Sequence, residues 1–278
     1  MIIWLASYPK SGNTWVRSML AAYFFSEDGI YNFEQIKNIK QFPKGALFER
    51  MGIDIQNEKE VIKNYIRVQE TFNKKDSIQF LKTHSYLFNI ENNPFTNLNN
   101  SLGAIYLVRD PRNIIISAAN HNSSTHREST DDMISGKPLR KSKTDVWTYT
   151  GTWSGNYNSW KSFKSVDRYL LIKYEDFIAD KEKIFFKILN FIHKLKKIEF
   201  VLDKKKFQKC LDTTSFNQMQ NMENKLGFEE SSKNKDTGKK NKFFYLGPKN
   251  DWKKMLDVNL KKKIEDKFEK EMKELGYL

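Results

Sequence analysis

A short apolar strand that runs into a small-residue turn and then an amphipathic helix limits a chain to few folds. Residues Ile2-Ile3-Trp4-Leu5-Ala6 form such a strand, short and bounded enough to be buried. Pro9, Ser11 and Gly12 supply the turn. Val16, Met19, Leu20 and Tyr23 then recur at helical spacing and predict a helix that starts near Thr14. The opening turn of a helix points unpaired N–H groups and the positive end of its dipole at one spot, which makes an anion cradle. Lys10 adds a full positive charge, and Ser11 and Thr14 add hydroxyl donors. The segment therefore reads as a P-loop-like phosphate-binding loop for a nucleotide-like ligand. It is not a Walker A loop, in which the lysine follows the second glycine. Here Lys10 precedes Gly12. An ordinary Pro/Gly turn with a solvated Lys10 would share this local pattern, so further segments must decide.

Five other segments carry polar residues at the ends of apolar runs. Leu81-Lys82-Thr83-His84 follows Ile78 and Phe80, and a histidine there suits proton removal at neutral pH. Ala104-Ile105-Tyr106-Leu107-Val108 leads into Arg109-Asp110-Pro111, where Asp110 is a helix cap and Pro111 fits the first helical position. Arg109 thus sits at the carboxyl end of a strand, where open α/β sheets bind ligands, and a guanidinium fork matches phosphate oxygens. Tyr169-Leu170-Leu171-Ile172-Lys173-Tyr174-Glu175-Asp176 is another strand with an aromatic at its end. The remaining two are Thr213-Thr214-Ser215-Phe216-Asn217-Gln218-Met219 and Phe243-Phe244-Tyr245-Leu246-Gly247-Pro248-Lys249-Asn250-Asp251-Trp252-Lys253. A tryptophan-rich stretch, Gly151 to Lys161, precedes the Tyr174 segment.

In this order, the segments resemble those of the cytosolic-type sulfotransferases, which use 3′-phosphoadenosine 5′-phosphosulfate (PAPS) and release 3′,5′-ADP (PAP). The resemblance runs from Ile2 to the C-terminus. It implies that Lys10, Ser11, Gly12, Asn13 and Thr14 hold the 5′-phosphosulfate, with Lys10 stabilising the bridging oxygen. His84 would be the general base and Lys82 would contact a sulfuryl oxygen. Arg109 and Ser117, eight residues apart as in the family, would hold the 3′-phosphate. Trp15 and Tyr174 would contact adenine, and Thr214, Ser215, Phe216 and Met219 would pack on the adenosine. Gly247 would let backbone N–H groups approach the 3′-phosphate, with Lys249 helping. Tyr245 and Leu246 stand where the family usually has an arginine–lysine pair, and Asn250 replaces a glycine. The family's dimer motif is not matched after Trp252. No metal is implied, and the acceptor would be a small molecule, glycan or lipid hydroxyl, or an amine.

The chain has 278 residues, enough for one α/β domain over 1–278. Strand-like runs near 2–6, 78–82, 104–108 and 169–173 alternate with helical patterns, which predicts a central, mainly parallel sheet flanked by helices. A helix over 181–195 and an amphipathic stripe of Leu260, Ile264, Phe268 and Met272 belong to the same pattern. Residues 229–242 contain no apolar side chain and read as a mobile loop; residues 122–145 form a second polar stretch expected to border the acceptor pocket. The single Cys210 has no partner for an internal disulfide, and neither a signal peptide nor a membrane span is evident, so a cytoplasmic protein is expected. The net charge of +14 attracts polyanions, but it is spread along the chain rather than gathered in a patch. Two rival functions follow: a nucleotide-dependent phosphoryl transferase, which would need a Walker-type lysine and a metal-holding aspartate, and a polyanion binder with steeply salt-dependent affinity.

Overall fold

A computed structural model describes residues 1–73, 78–140, 142–234 and 237–278. Five parallel strands form the central sheet: β1 (Ile2–Ser7), β2 (Lys40–Gln41), β3 (Gln79–Thr83), β6 (Ser101–Val108) and β7 (Tyr169–Lys173). A two-stranded hairpin, β4 (Asn89–Ile90) with β5 (Asn93–Pro94), stands apart. The sheet order is β2-β3-β1-β6-β7. From β1 the chain builds β2 and β3 on one side and then crosses to build β6 and β7 on the other. The order therefore reverses at β1, and the loop leaving that strand sits at the topological switch point, where such sheets bind ligands.

β1 shows why the fold is two-sided. All six of its residues are buried, and they alternate between two cores. Ile2, Trp4 and Ala6 face a cluster that includes Phe42, Phe95, Trp153, Trp160 and Phe268, while Ile3 and Leu5 face one that includes Val16, Leu20, Phe185 and Leu189. A strand buried on both faces needs an unbroken apolar run, which is what the sequence supplies.

The second face is covered by α1 (Asn13–Phe25). The first is covered in the β2–β3 connection by α2 (Gly45–Glu49), α3 (Glu58–Lys63) and α4 (Tyr65–Glu70). α5 (Pro111–Asn122), α6 (His126–Ser135) and α7 (Trp153–Trp160) lie between β6 and β7 and also pack on the first face. α8 (Tyr174–Ala179), α9 (Lys181–Lys196), α10 (Lys204–Thr213) and α11 (Phe216–Leu226) return to the second face, and α12 (Trp252–Met255) and α13 (Val258–Glu274) close the chain. The expected α/β domain is thus observed, and β3 and α9 each lie within a residue of their expected bounds.

Local signals explain the helix starts. Asp110 accepts a hydrogen bond from the Arg112 N–H, with Pro111 at the first position of α5. Thr125 and Glu128 form a reciprocal capping box at α6. That helix lies in the stretch 122–145, which the sequence reading treats only as polar. Lys141 in that stretch lies outside the described residues.

Candidate active site

The loop between β1 and α1 is built by two left-handed residues. Lys10 has φ 65° and Gly12 has φ 94°. A Cβ on Gly12 would stand 2.6 Å from a ring carbon of Tyr174, so only glycine fits there. No side chain caps α1. Asn13 instead turns back, donating to the Leu5 carbonyl at 2.8 Å and to Ser7 Oγ at 3.2 Å, which ties the loop to the strand it leaves. Asn13 therefore shapes the cradle by spending its side-chain amide N–H groups on the strand, which leaves its backbone N–H as the donor able to face an anion.

The carboxyl ends of the neighbouring strands bring the other residues to this loop. His84, just past β3, lies with Nδ1 2.9 Å from the Ser7 carbonyl oxygen and 3.2 Å from Ser7 Oγ. A carbonyl only accepts, so in the neutral imidazole the Nδ1 atom carries the proton and Nε2 carries the basic lone pair. Arg109, just past β6, is buried; it donates to the Lys10 carbonyl at 3.2 Å, and its guanidinium lies 4.1 Å from the centre of the Tyr174 ring. Tyr174, just past β7, therefore rests on the phosphate loop and on Arg109 together. Its hydroxyl is pushed up by burial, partly offset by Arg109. Trp15 packs edge-on against Phe177, with ring centres 4.5 Å apart, and more loosely against Tyr174.

Charge is concentrated here. The Lys10 ammonium sits 4.1 Å above the Phe243 ring. Burial, and then the Lys82 cation, draw its pKa down to about 7, with Glu230 opposing them. Lys82 and Arg17 are both buried and both pair with Glu230, at 3.1 Å and 2.5 Å. Thr14 Oγ1 donates to the same carboxylate at 3.2 Å. Burial alone would raise the Glu230 pKa, but Lys82 and Arg17 outweigh it and hold the group well below the usual carboxylate range.

Several buried polar atoms around the loop have no protein partner: Ser11 Oγ, Trp15 Nε1 and Arg109 Nε. Buried donors of this kind are ordinarily satisfied. Their clustering around an uncapped helix start fits an anionic ligand. Among the described residues, no group of three His, Cys, Asp or Glu side chains could hold a metal ion, and no helix is long and apolar enough to cross a membrane.

The remaining expected residues are less directly placed. Ser117 lies partly buried on α5. Thr214 is fully buried and its hydroxyl donates to the Cys210 carbonyl; Met219 is buried in the second core. Ser215 is the first residue before α11 and makes no capping bond. Phe216 lies against Gly247, whose φ of 52° and missing Cβ allow the approach: a Cβ there would stand 2.4 Å from the ring. Lys249 is exposed at the end of the short turn Gly247–Lys249. Asn250, in place of the family's glycine, donates to the Asn113 carbonyl at 2.9 Å and anchors this segment to the start of α5.

The whole arrangement, an uncapped glycine loop at the switch point with cations converging on it, runs from β1 to the last helix. The sulfotransferase domain family matches residues 2–276. The chain belongs to the sulfotransferase domain family. Membership makes it a sulfotransferase, an enzyme that takes its sulfuryl group from PAPS. Sulfotransferase 1E1 of Homo sapiens is 24% identical over 280 residues, covering 97% of this chain and 83% of that protein. Sulfotransferase 1E1 of Mus musculus is 22% identical with the same coverage. Among solved structures, mouse sulfotransferase SULT7A1 complexed with PAP has a TM-score of 0.60 at 20% identity, covering 97% of this chain and 83% of that one. Retinol dehydratase in complex with androsterone and PAP has a TM-score of 0.64 at 16% identity, covering 98% and 80%. These two structures share the fold.

Two residues of this charged cluster, Arg17 and Glu230, escape the sequence reading. Arg17 looks like one charge on a helix, and Glu230 like one carboxylate in a polar stretch. Arg17 did carry a signal: it is surrounded by Val16, Met19, Leu20, Ala21 and Ala22, and a charge on a buried apolar helix needs a partner. The stretch 229–242, read as a mobile loop, is tied down at several points. Ser231 donates to Glu223, Ser232 to the His121 carbonyl, and Asn241 to Ser123 and to the Asn120 carbonyl. Lys235 and Asp236 lie outside the described residues.

Proposed function

We propose that His84 deprotonates an acceptor hydroxyl while Lys10, Lys82 and the loop amides stabilise the charge that moves onto the departing nucleotide. The observation that carries this reading is the contact of His84 Nδ1 with the Ser7 carbonyl. It leaves Nε2 as the base nitrogen and fixes the ring to the strand that bears the phosphate loop. When bound, PAPS supplies the sulfuryl group and leaves as 3′,5′-ADP. His84 accepts the acceptor's proton at Nε2. Lys10, reprotonated beside an anion, offsets negative charge at the bridging oxygen, and Lys82 offsets it at a sulfuryl oxygen. Arg109 and Ser117 select the 3′-phosphate, while Trp15, Tyr174 and Phe216 offer ring surface to the adenosine, backed by Thr214, Ser215 and Met219. Gly247 and Lys249 complete the 3′-phosphate side. The acceptor is a small-molecule, glycan or lipid hydroxyl. A cytoplasmic setting is supported by the single thiol, Cys210, which is buried and pushed up to about 12 by burial.

The test is transfer of labelled sulfuryl from PAPS to acceptors in an extract of the source organism. His84→Ala should lower turnover by roughly 10²–10⁴ while leaving 3′,5′-ADP affinity intact. Near-normal turnover in that variant removes His84 from the mechanism.

A further inference from the structure

The Glu230 carboxylate pairs with two buried cations, Arg17 and Lys82. It bridges three donors from two elements: Thr14 in the first turn of α1, Arg17 one turn later, and Lys82 at the end of β3. One oxygen takes Arg17 at 2.5 Å; the other takes Lys82 at 3.1 Å and Thr14 at 3.2 Å. These donors would suit a tetrahedral oxyanion equally well, and two of them, Thr14 and Lys82, belong to the proposed sulfuryl-donor site. The carboxylate itself comes from outside that scaffold. It sits on the segment after α11, which leaves the helix at Gly227 with φ 72°, where a Cβ would meet only the flexible end of Lys240 at 4.0 Å. A negative group on a separate segment thus fills the place where the proposed reaction needs another anion.

We infer that Arg17, Thr14 and Lys82 form the subsite for the 5′ anionic end of the nucleotide, and that Glu230 occupies this subsite until the nucleotide displaces it. The inference rests on the proposed sulfotransferase reading. Two anions cannot share three donors that include the buried Arg17 and Lys82, because their repulsion is poorly screened there. Nucleotide binding therefore requires Glu230 to withdraw, and the segment from Gly227 to Asn234 moves with it. Apparent affinity is then reduced by the fraction of molecules in which the carboxylate holds the subsite. Arg17 becomes a nucleotide-binding residue that exchanges one anion for another, keeping its charge paired in both states.

Calorimetry with three ligands tests this. Glu230→Gln keeps the side chain's shape and removes its charge. It should tighten 3′,5′-ADP roughly 10-fold or more and leave 3′-AMP, which has no 5′ anion, unchanged. Arg17→Met should weaken 3′,5′-ADP and spare 3′-AMP. In the wild-type protein, hydrogen exchange over residues 228–234 should speed up when 3′,5′-ADP binds. Unchanged or weaker 3′,5′-ADP binding in Glu230→Gln, or exchange that slows on binding, overturns the inference. Should neither wild type nor variant bind 3′,5′-ADP at all, the sulfotransferase reading of the site fails, an outcome distinct from equal binding by both.

Discussion

Replacing Gly12 by alanine would damage the phosphate loop twice over. The residue holds φ 94°, and a left-handed conformation costs a residue with a Cβ about 1–2 kcal/mol. The new Cβ would also lie 2.6 Å from Tyr174 Cδ2, closer than atoms can stand, and a tight 3.1 Å from Cε2. Tyr174 must then move, and it is buried beneath the Arg109 guanidinium at 4.1 Å, a cation–π contact contributing up to about 2 kcal/mol when desolvated. The combined loss is about 2–4 kcal/mol, and a fall in Tm on the order of 10 °C follows for a chain of this size. Because Tyr174 and Arg109 both border the loop, 3′,5′-ADP binding should fall as well. The control is Gly52→Ala: φ there is 73° but nothing lies within 4 Å of the added Cβ, so only the backbone term applies. Thermal unfolding and calorimetry on both variants separate the terms. If Gly12→Ala loses no more stability than Gly52→Ala and binds 3′,5′-ADP normally, the packing of Tyr174 on the loop is not what shapes the site.

Two further outcomes follow from the electrostatics. Lys10 has a pKa drawn from its ordinary 10.5 to about 7, so between those values the unfolded chain binds more protons than the folded one, and this group's contribution to stability rises with pH across that window. An arriving anion restores the charge, so 3′,5′-ADP binding at pH 8 should take up close to one proton and at pH 6 far less, read by calorimetry in buffers of different ionisation enthalpy; Lys10→Met should abolish the difference. Arg109 and Arg112, three residues apart, should behave oppositely. Arg112 is locked to Asp110 at 2.7 Å and to Glu265 at 2.5 Å, so Arg112→Met strands the buried Asp110 carboxylate and lowers stability by roughly 3–5 kcal/mol, while Arg109→Met mainly weakens 3′,5′-ADP, as unfolding and binding curves would report.

Most strands were legible because burial on both faces leaves an uninterrupted apolar run in β1, β3 and β6, and β7, buried on one face and half-buried on the other, keeps the apolar Leu170-Leu171-Ile172. β2 was not, since two residues with exposed or half-buried side chains carry no periodicity. α6 escaped because its apolar face is only Met133 and Ile134, although Thr125 and Glu128 announced its start. The site divides in the same way. Residues at strand ends, namely Lys10, Lys82, His84, Arg109 and Tyr174, are placed by the sheet and could be read one motif at a time. The Glu230 contacts join residues more than a hundred positions apart in the case of Lys82 and Thr14, and no local pattern reports them. Glu230 is polar because it pairs with cations across the molecule, and Ser231, Ser232 and Asn241 because they bond distant carbonyl, carboxylate and hydroxyl groups, which in one dimension looks the same as solvation.

The central claim is that the β1–α1 loop binds a nucleotide carrying anions at both its 3′ and 5′ positions. Titrating the purified protein with 3′,5′-ADP, and separately with 5′-ATP and magnesium, tests it most directly. Saturable 3′,5′-ADP binding at a single site, lost in Lys10→Ala, is expected, with much weaker binding of magnesium ATP. Preference for magnesium ATP, or 3′,5′-ADP binding indifferent to Lys10, would contradict it.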